Sequence, residues 1–496
     1  MPRRPHPLVA LAALATAVPL LALAPSASAA TVAKPYDFDG DGFPELVVGA
    51  PELQVGSDTF AGGVVVYPAS AAGVSTAGTV LTQDSAGVPG SAGENQNFGA
   101  AFTSADFDHD GYADLAVGVP GLPDGQGGRV IVLPGSPAGL ATSGGYTVAR
   151  PGTPDHDRFG SSLVTADFDG DGYADLAVGA TTADRVEGPE YFPNGSVTVL
   201  HGGQGTFSAR RSTVLHGRQS GDRYDLLFGS SLAVGDVDGD ARPDLVVGSL
   251  GKPYDDGEGH GGSVSVCTSG SGGPTGCRQV SYGPITGSTA LAVGNVKGDG
   301  RDEIVVGQPE NGTEGDEPGV VYTLSLTGTG STLAAKTSEL TQGSEGVPGS
   351  NERNDEFGFA VTLGDLDRDG YDDLVVGSPG ETIDRRNEAG RVTVVRGGKK
   401  GYRTSGNKAF DQNTKGIPGK AETEDSFGAA VALLDHDDDG RLDLTVGAPG
   451  EDEGGAITTL RGSGTSFTTK GAKTVGLESL GYPTPYGAIL GAVLGR

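Results

Sequence analysis

The 496-residue sequence predicts an all-β fold: a seven-bladed β-propeller of four-stranded antiparallel blades, closed into a ring by its own C-terminal strand. Three observations predict it. An acidic nonapeptide recurs seven times, its first positions 59 to 70 residues apart. Each copy is followed by short, β-branched runs bounded by Gly or Pro, too short for helices. The first copy lacks the strand that precedes later ones, and the last residues of the chain supply a similar segment. A repeat of about four strands cannot bury both faces alone, and radial closure is the usual solution.

In chain order, residues 1–30 read as a secretory signal peptide. Arg3 and Arg4 precede an apolar run over 8–24, interrupted by Pro19, and "SASAA" offers cleavage after Ala29 or Ala30. No second apolar stretch approaches bilayer length, and no lipidation signal closes the chain. The expectation is an exported, soluble, monomeric protein whose single domain is the propeller, 31–496.

The acidic loops then follow at 37–45, 106–114, 167–175, 236–244, 295–303, 365–373 and 435–443. After each comes an apolar strand such as "LVVGAP" or "LAVGVP", and after a variable loop a second one such as "GGVVVY" or "GRVIVL". Phe-Gly precedes five loops, with Phe98, Phe159, Phe228, Phe357 and Phe427 each eight residues ahead of the first Asp. The segment "YGAILGAVL", 486–494, resembles "FGAAFTSAD" in its opening. That match sets Tyr486 and Gly487 at the Phe-Gly position, and a strand completing blade 1 hides two free edges.

In "DFDGDGFPE" acids stand at positions 1, 3, 5 and 9, with Gly at 6. Alternate oxygens of a tight loop converge, and Gly permits the positive φ of the turn. Converging carboxylates repel unless a cation lies among them, and a hard ion with six to eight oxygen ligands, calcium before magnesium, suits them. An EF-hand is excluded, because its position 12 Glu is replaced by Val48, Val117, Val178, Val247, Val306, Val376 and Val446.

Five copies carry every acid and the Gly. Their candidate ligands are Asp37, Asp39, Asp41 and Glu45; Asp106, Asp108, Asp110 and Asp114; Asp167, Asp169, Asp171 and Asp175; Asp365, Asp367, Asp369 and Asp373; Asp435, Asp437, Asp439 and Asp443. A sixth set, Asp236, Asp238, Asp240 and Asp244, has Ala241 at position 6 and is expected to bind more weakly. The copy at 295–303 has Asn295 and Lys297, and the lysine is expected to stand in for the ion. Five to six calcium ions are thus expected. Six dications would bring the formal charge of −30 to −18. That charge excludes nucleic acid and anionic membranes as partners. Cys267 and Cys277, ten apart in an exported chain, are expected to form a disulfide.

The order Phe-Gly, D-x-D-x-D-G, "VVGAP", G-x-V-x-V resembles the FG-GAP repeats of the seven-bladed propeller at the N-terminus of integrin α subunits, and the chain looks like a bacterial, secreted relative. The resemblance implies metal loops on one face and ligand-contacting loops on the other. No H-E-x-x-H, G-x-S-x-G or C-x-x-C is present, so no enzyme is expected. The leading reading is a recognition or adhesion scaffold for an extracellular protein or glycan. A phospholipase- or glycosidase-like hydrolase with its site in the propeller mouth is the alternative. A lectin-like sugar binder is the third, although the loops after the "VGAP" strands share no aromatic pattern.

Overall fold

The computed structural model describes residue 1 and residues 32–495, apart from 122–126, 142, 153–156, 184–193, 204, 208–210, 218–225, 251–261, 283–289, 310–317, 453 and 481–489. The leader peptide, most of the loop at 182–192 and residues 486–489 lie outside the described residues.

Seven four-stranded antiparallel sheets make the fold. Blade 1 orders Val493–Leu494, Leu46–Ala50, Gly63–Tyr67 and Thr79–Leu81, so the C-terminal strand does complete it. Blade 2 runs Phe102–Ala105, Asp114–Val119, Arg129–Leu133 and Tyr146–Ala149, and the other five repeat this pattern. First strands surround a central cavity of about 320 Å³, lined by Phe102, Leu163, Leu232, Phe359, Val431 and Leu494 among others. Second strands are buried on both faces, which is why "LVVG" shows no alternation. Fourth strands are far more exposed, as at Ala334–Leu340, and form the outer rim.

Glycine sets the distance between blades. A Cβ on Gly118 would lie 2.0 Å from the carbonyl oxygen of Gly160 in the next blade, and one on Gly377 1.9 Å from that of Gly428. The glycine of "VVG" thus faces the glycine of the following Phe-Gly. The fully buried phenylalanines Phe98, Phe159, Phe228, Phe357 and Phe427 fill the same seams.

At the closing seam the register differs from the sequence expectation. Leu490 and Gly491, four residues beyond Tyr486 and Gly487, take the Phe-Gly place: Leu490 is fully buried, and Gly491 O lies 1.8 Å from a Cβ built on Gly447. The shift follows from pairing, since Val48 opposes Leu494 as Val117 opposes Phe102. Leucine fills the pocket that phenylalanine fills elsewhere, and that hides the match from sequence reading.

Cys267 and Cys277 are bonded across the third and fourth strands of blade 4. Replacing both by Ala should cost about 2–3 kcal/mol in urea unfolding, from the loop entropy a short crosslink removes. A loss under about 0.5 kcal/mol would show that the neighbouring ladder already holds those strands.

Candidate metal centres

Six of the acidic loops join the first strand of a blade to its second, and the loop at 37–45 leads into the second strand of blade 1, so topology puts all seven on one face. They are also stitched to one another. The Ala113 N–H donates to Asp37 O at 3.0 Å, Asp302 N–H to Asp236 O at 2.8 Å and Asp372 N–H to Asn295 O at 3.0 Å. Blades 7 and 1 are joined through His436, at position 2 of its loop, whose Nδ1 lies 2.8 Å from Pro44 O. Burial pushes that imidazole down to about 4, and it packs neutral between blades 7 and 1.

Within a loop each acid has a fixed task. The position 1 carboxylate accepts the N–H of position 6, as in Gly42 to Asp37 at 3.1 Å, Gly111 to Asp106 at 3.1 Å, Gly172 to Asp167 at 2.9 Å, Gly370 to Asp365 at 2.9 Å and Gly440 to Asp435 at 2.7 Å. Ala241 makes the same bond to Asp236 at 2.8 Å while held at φ +66°, a conformation costly for a residue with a Cβ. Position 5 caps the turn by accepting the N–H of position 7, at Asp41, Asp110, Asp171, Asp240, Asp369 and Asp439. Position 3, at Asp39, Asp108 and Asp169, accepts the N–H of position 5.

Position 9 is the buried anchor. Asp114 accepts Phe107 N–H and Gly135 N–H, both at 2.9 Å, and Asp175 accepts Phe168 N–H at 3.1 Å and Gly202 N–H at 2.7 Å. Asp373 accepts the Gly397 N–H, Asp443 the Gly462 N–H and Asp244 that of Ser269. Burial pushes Glu45, Asp114, Asp373 and Asp443 up to about 7 and Asp244 to about 6, against those hydrogen bonds and with help from neighbouring carboxylates.

The acids converge as their spacing predicts. Oxygens of Asp37, Asp39 and Asp41 lie within 4.8 Å of one another, as do those of Asp106, Asp108 and Asp114, of Asp167, Asp169 and Asp171, and of Asp236, Asp238 and Asp244. Asp37 Oδ1 and Asp238 Oδ1 are buried with no hydrogen-bond partner, and so are Asp367 Oδ1 and Asp437 Oδ1, although the second oxygen of each of these two carboxylates faces an arginine. A buried carboxylate oxygen without a donor is costly, and a hard cation would satisfy it. The donor set therefore fits a divalent ion in chemistry and in arrangement. In the loop at 295–303 the Lys297 ammonium lies 3.0 Å from Glu303 Oε1.

Sequence reading missed one column. The residue one beyond the third-strand partner of position 10 stands across from position 9: Pro68, Pro134, His201, Thr268, Ser325, Arg396 and Arg461. Three of these approach the acids. His201 Nδ1 is 3.7 Å from Asp169 and 3.6 Å from Asp175, Arg396 reaches both Asp367 and Asp373, and Arg461 lies 3.3 Å from Asp437. Aligning "YPA", "LPG", "LHG", "CTS", "LSL", "VRG" and "LRG" would have exposed the column.

Comparison with known proteins places these features in a family. The FG-GAP repeat model matches residues 29–67, 98–133, 159–200, 228–267, 357–395 and 427–460. The chain is 38% identical over 158 residues to phosphatidylinositol-glycan-specific phospholipase D of Mus musculus, covering 30% of this chain and 18% of that protein. It is 33% identical over 232 residues to integrin alpha-PS2 of Drosophila melanogaster, covering 43% of this chain and 14% of that protein. The chain thus spans less than a fifth of the length of these relatives. A mutant Aleuria aurantia lectin in complex with alpha-methyl-L-fucoside aligns over 78% of this chain and 96% of its own at a TM-score of 0.37 and 11% identity, too loose a superposition to bear on function. With six matched repeats and a seventh blade of the same build around the lysine-bearing loop, the chain belongs to the FG-GAP repeat family, as a seven-bladed, integrin-α-like propeller.

Proposed function

We propose that this protein is a secreted, calcium-stabilised propeller acting as a recognition scaffold of adhesion type for an extracellular protein or glycan. The observation that carries this reading is the division of labour between the two faces. One face carries the acidic loops, several of them hydrogen-bonded to a neighbouring loop, with buried carboxylate oxygens lacking partners. The opposite face carries second-to-third-strand connections that differ in length and sequence, such as 449–455 and 379–390, as a single asymmetric binding surface requires. Calcium would be held by positions 1, 3, 5 and 9 and would supply charge neutralisation and rigidity.

Kinship with an integrin α chain supports the adhesion reading, and kinship with a phospholipase D keeps hydrolysis as the second. Against hydrolysis in the mouth, the described residues lining the central cavity include no acid, histidine, lysine or cysteine. No described helix is long and apolar enough to cross a membrane.

The test is a glycan array and a panel of purified matrix proteins, probed with calcium-loaded protein. Saturable binding that resists chelator for as long as the fold survives is expected. Absence of binding together with turnover of a phosphatidylinositol-glycan or a glycoside would reverse the ranking.

A further inference from the structure

We infer that the third-strand side chain across from position 9 decides which acidic loops take a divalent cation, and that Arg396 and Arg461 keep the loops of blades 6 and 7 free of one. The inference rests on the calcium reading above and sharpens it. By their acids alone, the loops at 365–373 and 435–443 are as complete as those at 37–45 and 106–114.

The difference lies across the strand ladder. Arg396, only 4% exposed, spans Asp367 at position 3 and Asp373 at position 9, the latter at 2.9 Å, and donates to Thr465 O at 2.8 Å. A guanidinium keeps its proton throughout the working range. It therefore already supplies the positive charge that the carboxylates require, at the place where a dication would sit, and the two cations would repel each other there. In blade 7, Arg461 lies 3.3 Å from Asp437 at position 3, and Arg441 lies 2.8 Å from Asp439 at position 5.

In blades 1 and 2 the equivalent residues are Pro68 and Pro134, which have neither charge nor donor, and in blade 4 it is Thr268. Their acids converge with no basic residue from this column among them. Blade 5 shows the same exclusion arranged differently: Ser325 holds the column, and its hydroxyl meets the Lys297 ammonium that pairs with Glu303. His201 in blade 3 could serve as ligand or as cation, so the test below compares counts between variants in which blade 3 is unchanged.

The experiment is calcium titration of the metal-free full-length protein, read as ions bound per chain by calorimetry and native mass spectrometry. The wild type should take no more than four ions. Arg396→Thr and Arg461→Thr, which copy blade 4, should each add one ion, whereas Arg396→Lys should leave the count unchanged. Should the threonine variants fail to fold, Pro134→Arg, which copies blade 6, should remove one ion. Six ions in the wild type, or counts unmoved by Arg396→Thr and Pro134→Arg in folded protein, would overturn this inference and leave the calcium reading standing. No uptake by any variant would overturn both.

Discussion

Stripping calcium at pH 8 is expected to lower the melting temperature by about 10 °C, and to lower it far less at pH 5. The reason is the buried carboxylate at position 9. Without an ion, Glu45 and Asp114 titrate near 7 and Asp244 near 6 in the folded protein, against roughly 4 in the unfolded chain. A folded pKa raised above the unfolded one means that the native state holds more protons between pH 4 and 7. Stability of the ion-free protein therefore falls as pH rises through that window. At about 1.4 kcal/mol per unit, those three groups together cost on the order of 10 kcal/mol at pH 8. For a chain of this length roughly 1 kcal/mol corresponds to one degree.

On the proposed calcium reading, the ion would remove the penalty by replacing the protons. His436 acts in the other direction: its folded pKa near 4 lies below its unfolded one, so it costs stability as pH falls from 6.5 to 4. That loss occurs with and without calcium and cancels in the difference. Scanning calorimetry at both pH values, in calcium and in chelator, checks the result. Equal melting temperatures at pH 8, or a larger drop at pH 5, would mean that the carboxylates are not the calcium-linked groups.

The second large effect concerns the closing seam. Gly447→Ala should destabilise the protein by about 3 kcal/mol, because the new methyl group meets the Gly491 carbonyl oxygen at 1.8 Å, and backbone can yield only by moving a whole blade. Gly447 is not in the left-handed region, so the cost is collision and not backbone strain. Gly118→Ala, 2.0 Å from Gly160 O, should cost a similar amount inside the ring. Urea denaturation measures both. If Gly447→Ala loses less than about 0.5 kcal/mol while Gly118→Ala loses the full amount, the C-terminal strand does not seal the ring in solution.

The repeat and its strands were legible because they are local. Four acids and a Gly at set spacing specify a turn whose bonds run over two to five residues, as from Gly42 to Asp37, and a short β-branched run specifies a buried strand in any copy. The column at Pro68, Thr268, Arg396 and Arg461 was less visible. Each of these residues lies 18 or more positions beyond the acids it faces, and only the pairing of Leu374 with Val395, and its equivalents, brings them together. His436 was similarly opaque, since its partner Pro44 is 392 residues away.

Sequence alone settled the number of blades, the placing of the acids and the identity of the closing segment, because each depends on spacing along one stretch of chain. Packing had to settle the closing register, with Leu490 filling the place of a phenylalanine, and which acids face a built-in guanidinium. A side chain's charge is written in the sequence, but the field it meets is a property of neighbours that come together only when the sheets form.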